Sequence, residues 1–198
     1  MKNKDFFANY INTFLNQNQV LNLISKNDEQ YLWEKHIYDS LSIEKFFEKY
    51  NPDFSITMLD IGTGGGFPAV PIALSYPKIK VYALDSIRKK INAIENIKAE
   101  LNIQNLFTIC DRAENIKDKF DIITSRAVAP LKTIICYAMP LLKDDGYFIA
   151  YKSLKAQEEI EESKSVLKKY NAKITDIIQY DLPLPENHVR NLIVVSKN

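Results

Sequence analysis

Apolar and polar positions follow two different patterns on either side of residue 53. Before it, apolar side chains recur every three or four positions, as at Phe6, Tyr10 and Phe14, which is typical of helices with one buried face. The predicted helices cover residues 6–14, 32–41 and 43–50. The Asn-Pro-Asp sequence at residues 51–53 is a turn signal. We therefore expect residues 1–52 to form a helical N-terminal extension, packed on a domain of residues 53–198 in one compact unit.

After residue 53 the chain alternates between short apolar runs and amphipathic helices. Strands are predicted at residues 55–59, 79–84, 106–110, 120–124, 147–152, 173–179 and 189–196. Helices are predicted at residues 67–76, 86–101, 131–142 and 156–169. This alternation is typical of a mostly parallel sheet with helices on both faces. The last two strands are joined without a helix, so the predicted α/β, Rossmann-like fold carries one antiparallel strand at the edge of its sheet.

The glycines are concentrated where the first of these strands ends. Four of the five glycines of the chain lie at residues 62–66, between an apolar strand and a helix. Glycine adopts positive φ and lets a ligand approach the main chain. Free backbone N–H groups and the positive end of a helix favour an anionic group at such a turn. The turn at Gly62, Gly64 and Gly66 is therefore the predicted ligand-binding element.

The residues around this turn distinguish between classes of ligand. A P-loop requires Lys and then Ser or Thr after its last glycine, but Phe67 follows Gly66. A dinucleotide-binding turn requires a glycine at its sixth position, and counted from Gly62 that position is also Phe67. Both of these ligand classes are therefore disfavoured. Asp60 precedes the turn, and Asp85 ends the following strand, where a carboxylate can accept from two ribose hydroxyls. Either acid alone is explained by ordinary solvation of a strand end. Together with the glycines, they predict S-adenosylmethionine, an adenosine that carries an amino acid.

The loops after the third and fourth strands supply the remaining candidates. Ala113 and Glu114 follow the third strand, where the adenine ring would lie. The loop at residues 124–130 lacks both the Asn-Pro-Pro-aromatic run used on exocyclic amines and a Pro-Cys nucleophile. Guanine N7 needs neither, because its lone pair is already exposed and catalysis can consist of alignment and charge stabilisation. Arg126 could position a phosphate, stack on a base or bind guanine O6. An equally good interpretation is that Arg126 simply pairs with a carboxylate.

The charge balance limits how an RNA could be bound. A formal net charge of +1 argues against binding by bulk electrostatics and leaves room for a local basic patch, which Arg88, Lys89, Lys90, Lys152 and Lys155 could form together. Cys110 and Cys136 lack the paired spacing of a zinc site, so we expect no metal. No signal peptide or membrane span is recognisable. We expect a cytoplasmic monomer.

Seven short motifs together resemble one known family. They are residues 22–25 (Asn-Leu-Ile-Ser), 36–40 (His-Ile-Tyr-Asp-Ser), 60–68 (Asp-Ile-Gly-Thr-Gly-Gly-Gly-Phe-Pro), 84–86 (Leu-Asp-Ser), 112–114 (Arg-Ala-Glu), 124–127 (Thr-Ser-Arg-Ala) and 190–192 (Arg-Asn-Leu). In these motifs the chain resembles the bacterial small-subunit ribosomal RNA guanine-N7 methyltransferases, also called the glucose-inhibited division protein B family. The resemblance covers nearly the whole chain. It departs from the family pattern at Ala69-Val70, where Gly-Ile is expected.

The resemblance implies a class I methyltransferase fold that transfers a methyl group from S-adenosylmethionine to guanine N7 in small-subunit ribosomal RNA or an assembly particle. It implies a donor site at Gly62, Phe67, Ala113, Glu114 and Arg126. It also implies an RNA-facing surface, whose candidates are Asn22, His36, Lys89, Lys152 and Arg190. Two alternatives remain: a methyltransferase acting on a small molecule or a protein, and a non-catalytic S-adenosylmethionine-binding assembly factor.

Overall fold

One mixed sheet runs through the protein, whose computed structural model describes residues 2–186 and 188–198. Its strands are β1 (Thr57–Ile61), β2 (Lys80–Leu84), β3 (Leu106–Ile109), β4 (Phe120–Arg126), β5 (Leu142–Lys152), β6 (Ala172–Asp181) and β7 (Val189–Lys197). Over this part of the chain the strand order is β3-β2-β1-β4-β5-β7-β6. β1 to β5 pair in parallel, whereas β7 pairs antiparallel with both β5 and β6. The predicted α/β class with one antiparallel strand is confirmed. The antiparallel strand itself lies one place inside the edge, which β6 occupies.

Helices cover both faces of the sheet. They are α1 (Ala8–Leu21), α2 (Lys26–Glu29), α3 (Asp39–Leu41), α4 (Glu44–Tyr50), α5 (Ala69–Ser75), α6 (Arg88–Glu100), α7 (Leu131–Ala138) and α8 (Ala156–Lys169). Because successive strand residues point to opposite faces, Met58 packs in one apolar cluster and Leu59 in the other. Among the described residues, no helix has the length and hydropathy needed to cross a membrane.

The N-terminal helices share their core with the sheet. Phe7, Tyr10 and Phe14 of this region are almost completely buried in the same cluster as Met58 and Phe67. The Phe14 and Phe67 rings lie 5.0 Å apart between centroids. The apolar face predicted from the spacing of these residues therefore covers the glycine turn and one face of the sheet.

Three segments differ from the predicted elements. Helix α1 continues to Leu21, seven residues beyond the predicted end at residue 14. The helix expected over residues 32–41 is a π-helical segment, Leu32–Tyr38, that continues into α3; such turns are rare and concentrate at functional sites. The strand expected from residue 147 already begins at Leu142, which pairs with Phe120 ahead of a shift in register. Gly146 makes this possible, because a Cβ there would lie 2.7 Å from the Asp121 carbonyl oxygen.

Candidate functional site

The glycine turn after β1 is held in a backbone conformation that favours glycine. Gly62, Gly64 and Gly66 have φ of +70°, +59° and +93°, in the left-handed region where a side chain is strained. The Gly62 N–H donates to the Leu84 carbonyl at 2.8 Å, which ties the turn to the end of β2. A Cβ on Gly62 would also lie 2.4 Å from Val128 Cγ2. The turn is thus clamped between β2 and the loop after β4.

Asp85 organises the turn from the neighbouring strand end. Its Oδ2 accepts from the Gly64 N–H at 3.0 Å, and its Oδ1 accepts from the Ile87 N–H at 2.9 Å. Lys90 Nζ lies 3.7 Å from Oδ2. The carboxylate is only 8% exposed, yet it lines a cavity. Each carboxylate oxygen has two lone pairs, so Asp85 retains acceptor capacity for a hydroxyl-bearing ligand.

A cavity of about 510 Å³ opens beside this turn. Four of the predicted donor-site residues line it together: Gly62, Asp85, Ala113 and Glu114. The volume falls within the range typical of small-molecule sites, roughly 300–1,000 Å³. The lining combines a carboxylate and exposed backbone with the apolar side chains of Leu84 and Val128. This chemistry fits an adenosine, whose ribose is polar and whose base has apolar faces.

Three other predicted donor-site residues, Asp60, Gly66 and Phe67, are buried and do not line this cavity; Gly64 does not line it either, although its N–H binds Asp85. Asp60 is completely buried, and its Oδ1 accepts from Thr124 Oγ1 at 3.0 Å. Burial raises the pKa of Asp60 to about 7. Gly66 is packed against Val70. The Phe67 ring is 3% exposed and joins the aromatic core instead of facing the cavity.

Arg126, at the end of β4, is bound by the N-terminal extension. Its Nη1 donates to Asp39 Oδ2 at 2.8 Å and to the Lys35 carbonyl at 3.0 Å. Its guanidinium carbon lies 5.3 Å from the centroid of the Phe67 ring. Of the alternatives that the sequence left open for Arg126, the structure contains the contact with a carboxylate. The carboxylate is itself supported from β6, because the Tyr180 hydroxyl donates to Asp39 Oδ1 at 2.7 Å.

His36 completes this network in its neutral form. Its Nδ1 lies 3.1 Å from Arg126 Nη2. Because a guanidinium can only donate, Nδ1 must be the acceptor and the imidazole proton belongs on Nε2. Burial, followed by the nearby charge of Arg126, lowers the pKa of His36 to about 4. The imidazole is therefore uncharged near neutral pH.

A second cavity, of about 410 Å³, collects the predicted RNA-facing residues His36, Lys152 and Arg190 together with Arg126. Ala127 lines both cavities, so the two adjoin at the loop after β4. Ala127 itself has φ of +55°, a conformation that is uncommon and strained for a residue with a side chain. The strained residue lies between the two cavities.

The cations of the second cavity are mostly paired with carboxylates. Lys35 contacts Asp28 at 2.9 Å, Arg126 contacts Asp39, and Lys152 contacts Glu159 at 2.7 Å. Within residues 2–186 and 188–198, Arg190 has no carboxylate partner, and its Nη1 donates to the Val189 carbonyl. Four cations and three carboxylates line this space, so the cavity carries about one net positive charge.

Two predicted RNA candidates lie outside both cavities. Asn22 follows α1 with φ of +48°, the left-handed C-terminal position where Asn is favoured. Lys89 is exposed in the first turn of α6. Sequence reasoning missed Lys35, Glu159 and Tyr180. Nothing in their local pattern marks them, because tertiary packing alone brings Lys35 and Glu159 to the second cavity and Tyr180 to Asp39.

The chain is similar to known proteins over almost its whole length. A family model described as GidB, rRNA small subunit methyltransferase G, matches residues 3–186. Ribosomal RNA small subunit methyltransferase G of Staphylococcus aureus (strain bovine RF122 / ET3-1) is 33% identical over 199 residues, covering 98% of this chain and 82% of the relative. The protein of the same name from Oceanobacillus iheyensis is 33% identical over 202 residues, covering 99% and 83%. The similarity includes the N-terminal helices.

Solved structures share the architecture at low identity. M. jannaschii TYW2 in complex with AdoMet superposes with a TM-score of 0.61 at 18% identity, over 81% of this chain and 77% of that one. The ribosomal protein L11 methylase from Lactobacillus delbrueckii subsp. bulgaricus gives a TM-score of 0.61 at 18% identity, over 81% and 80%. At this identity the likeness concerns the fold alone, and it confirms the predicted class I methyltransferase fold.

Proposed function

The chain belongs to the GidB family, rRNA small subunit methyltransferase G, and from this premise we propose that it methylates N7 of a guanine held in the second cavity. Members of this family are S-adenosylmethionine-dependent enzymes acting on small-subunit ribosomal RNA. The observation that carries the proposal is the pair of adjoining cavities that share Ala127. One has the chemistry of an adenosine site. The other has nearly balanced charge and suits an uncharged base.

We propose a role for each predicted residue of the first cavity, which we call the donor cavity. Asp85 binds the ribose hydroxyls, and Ala113 and Glu114 border the adenine. Gly62 and Gly64 bring bare backbone to the amino-acid part of the donor. Gly66, Asp60 and Phe67 support this turn from behind, through the contacts described above. Arg126 lies at the boundary with the second cavity and is the positioning candidate.

The reaction needs alignment more than acid–base chemistry. When bound, S-adenosylmethionine supplies a methyl group on a positively charged sulfur, which the lone pair of N7 can attack without prior loss of a proton. The protein must then exclude water and hold the base in line. A neutral His36 serves this purpose better than a cationic one, because the guanine ring becomes positively charged as N7 is methylated and a nearby imidazolium would repel it.

The second cavity, which we call the acceptor cavity, is built in part by the N-terminal extension. Residues 1–52 contribute Asp28, Lys35, His36 and Asp39 to it. We propose that this extension, packed on residues 53–198, provides the substrate side of the enzyme. Lys152 and Arg190 would contact the RNA near the cavity, and Asn22 and Lys89 would contact it farther away. A cytoplasmic monomer acting on ribosomal RNA or an assembly particle remains our prediction.

Mapping of 7-methylguanine tests the proposal directly. Small-subunit ribosomal RNA from cells with and without the protein is compared at nucleotide resolution, and labelled donor is offered in vitro to naked RNA, assembled small subunits and cell extract. We expect one guanine to lose its N7 methyl group when the protein is absent. Label in a protein or a small molecule would favour the first alternative, and binding of donor without turnover would favour the non-catalytic factor.

Two variants separate the two cavities. Replacing Asp85 by Ala should abolish donor binding measured by calorimetry, since it removes the acceptor for ribose and the support of Gly64. Replacing Arg190 by Ala should weaken RNA methylation and leave donor binding intact. Equal donor binding by the Asp85 variant and the wild type would contradict the assignment of the first cavity.

A further inference from the structure

The three carboxylates of the acceptor cavity differ in how their hydrogen bonds are distributed over their two oxygens. Asp39 uses both oxygens, one for Arg126 and one for Tyr180. Asp28 also uses both, one for Lys35 and one for the Ser25 hydroxyl.

Glu159 differs, because Lys152 Nζ at 2.7 Å and the Leu131 N–H at 2.6 Å both bind Oε2. Among the described residues, Oε1 of Glu159 has no partner.

Glu159 is also accessible and fixed in position. Its side chain is 25% exposed, compared with 7% for Asp39. It lies in the first turn of α8, and its Oε2 binds the first N–H of α7 as well as Lys152. Lys152 in turn donates to the Ala129 carbonyl at 2.8 Å. These contacts hold the carboxylate in one orientation and direct its second oxygen away from them.

A carboxylate with one free oxygen accepts hydrogen bonds and cannot donate them. The donors of guanine are N1–H and the exocyclic N2 amine, whereas adenine has no amine at C2. N2 lies across the purine from N7. A carboxylate that binds N2 therefore leaves N7 facing away from it, toward another wall of the cavity such as Ala127, which borders the donor cavity.

We propose that Glu159 Oε1 accepts a hydrogen bond from the N2 amine of the target guanine and so selects guanine over adenine. The proposal rests on the proposed function, since it assigns base recognition to the acceptor cavity. Lys152 acts with it by neutralising the charge on Oε2. The contact sets substrate specificity, and it takes no part in the transfer of the methyl group.

The test pairs a protein variant with a substrate variant. Inosine replaces guanine at the mapped target position; it lacks the N2 amine and keeps N7. The values of kcat/KM for guanine and inosine RNA are measured with the wild type, with Glu159→Gln and with Glu162→Gln. Glu162 is the matched control, because it lies on the same helix, is 58% exposed, pairs with Lys132 and does not line the cavity.

We expect wild type and Glu162→Gln to lose about tenfold or more in kcat/KM on inosine, since a hydrogen bond to a charged group contributes roughly 1.5–3 kcal/mol. In Glu159→Gln the single amide oxygen stays with its two donors, Lys152 and the Leu131 N–H, and the NH2 group faces the base, where it cannot accept from N2. This variant should therefore lose activity on guanine and show almost no further loss on inosine. Each protein is compared with itself on two substrates, so a general loss caused by a disturbed Lys152 cancels.

An inosine penalty of equal size in wild type and Glu159→Gln would overturn the proposal, and so would the absence of a penalty in the wild type. Failure of the wild type to methylate guanine RNA at all would instead refute the proposed function. Calorimetric binding of S-adenosylmethionine by Glu159→Gln verifies that the variant is folded.

Discussion

Replacing Asp39 by Asn tests the buried contact that joins the N-terminal extension to the sheet. The Asp39 and Arg126 side chains are 7% and 15% exposed, so the substitution leaves a guanidinium with no charged partner at a site that water scarcely reaches. Removing one partner of a buried ion pair costs about 3–5 kcal/mol. Asn keeps one oxygen that can still accept a hydrogen bond, which favours the lower end. We expect a loss of about 3 kcal/mol in the free energy of unfolding.

The size of this loss can be checked against two related variants. Tyr180→Phe keeps the ion pair and removes the hydroxyl that donates to Asp39, so it should cost about 1.5 kcal/mol, as for a hydrogen bond to a charged acceptor. Glu161→Gln breaks an exposed pair with Lys164 and should cost about 0–1 kcal/mol.

Urea unfolding gives all three values, provided that the slope with denaturant is unchanged. If Asp39→Asn were no less stable than Glu161→Gln, our reasoning about the buried pair would be refuted. The free energy of unfolding of such a domain is only about 5–15 kcal/mol, so the loss expected for Asp39→Asn is a substantial share of it.

The remaining predictions concern the glycine turn and the two groups with displaced pKa values. Gly62→Ala should lower the affinity for the donor far more than Gly64→Ala. Both positions have positive φ, but only at Gly62 would the new Cβ lie against Val128, at 2.4 Å. Calorimetry with S-adenosylmethionine measures both affinities, and equal losses would contradict the role of that contact. The pKa of His36 is lowered to about 4 in the fold, so relative to His36→Gln the wild type should lose stability as pH falls from about 6.5 toward 4, by at most roughly 3 kcal/mol. The pH dependence expected from Asp60 has the opposite sign, because its pKa is raised to about 7. Relative to Asp60→Asn, the wild type should lose stability as pH rises from about 4 to 7. Urea midpoints that move in the other direction would rule this out.

Much of the fold and of the donor site could be predicted from the sequence because both depend on local signals. Apolar runs of strand length alternate with helical stripes, and this alone specifies a mostly parallel sheet. Three of the glycines at residues 62–66 have positive φ, a backbone conformation that favours glycine. The carboxyl ends of parallel strands lie at the same edge of the sheet, so the sequence already places Asp85, Ala113 and Glu114 beside the turn.

The acceptor side could not be predicted in the same way, because its contacts join distant parts of the chain. Tyr180 reaches Asp39 across 141 residues, and Arg126 reaches it across 87. No periodicity encodes such pairs. Phe67 illustrates a related difficulty: its position beside the glycines suggests a ligand contact, yet its aromatic ring gains more from burial among Tyr10 and Phe14 than from a polar cavity.

This division between local and distant contacts also explains why family membership identifies the substrate and likeness of fold does not. Structures at 18% identity share the fold over 81% of the chain. The acceptor cavity takes Arg126, Lys152 and Arg190 from the sheet, but it also depends on His36 and Asp39 of the N-terminal extension and on Glu159 of α8. A shared fold therefore says little about the methyl acceptor. Family membership does, because the 33% identity extends over 98% of the chain and includes the extension.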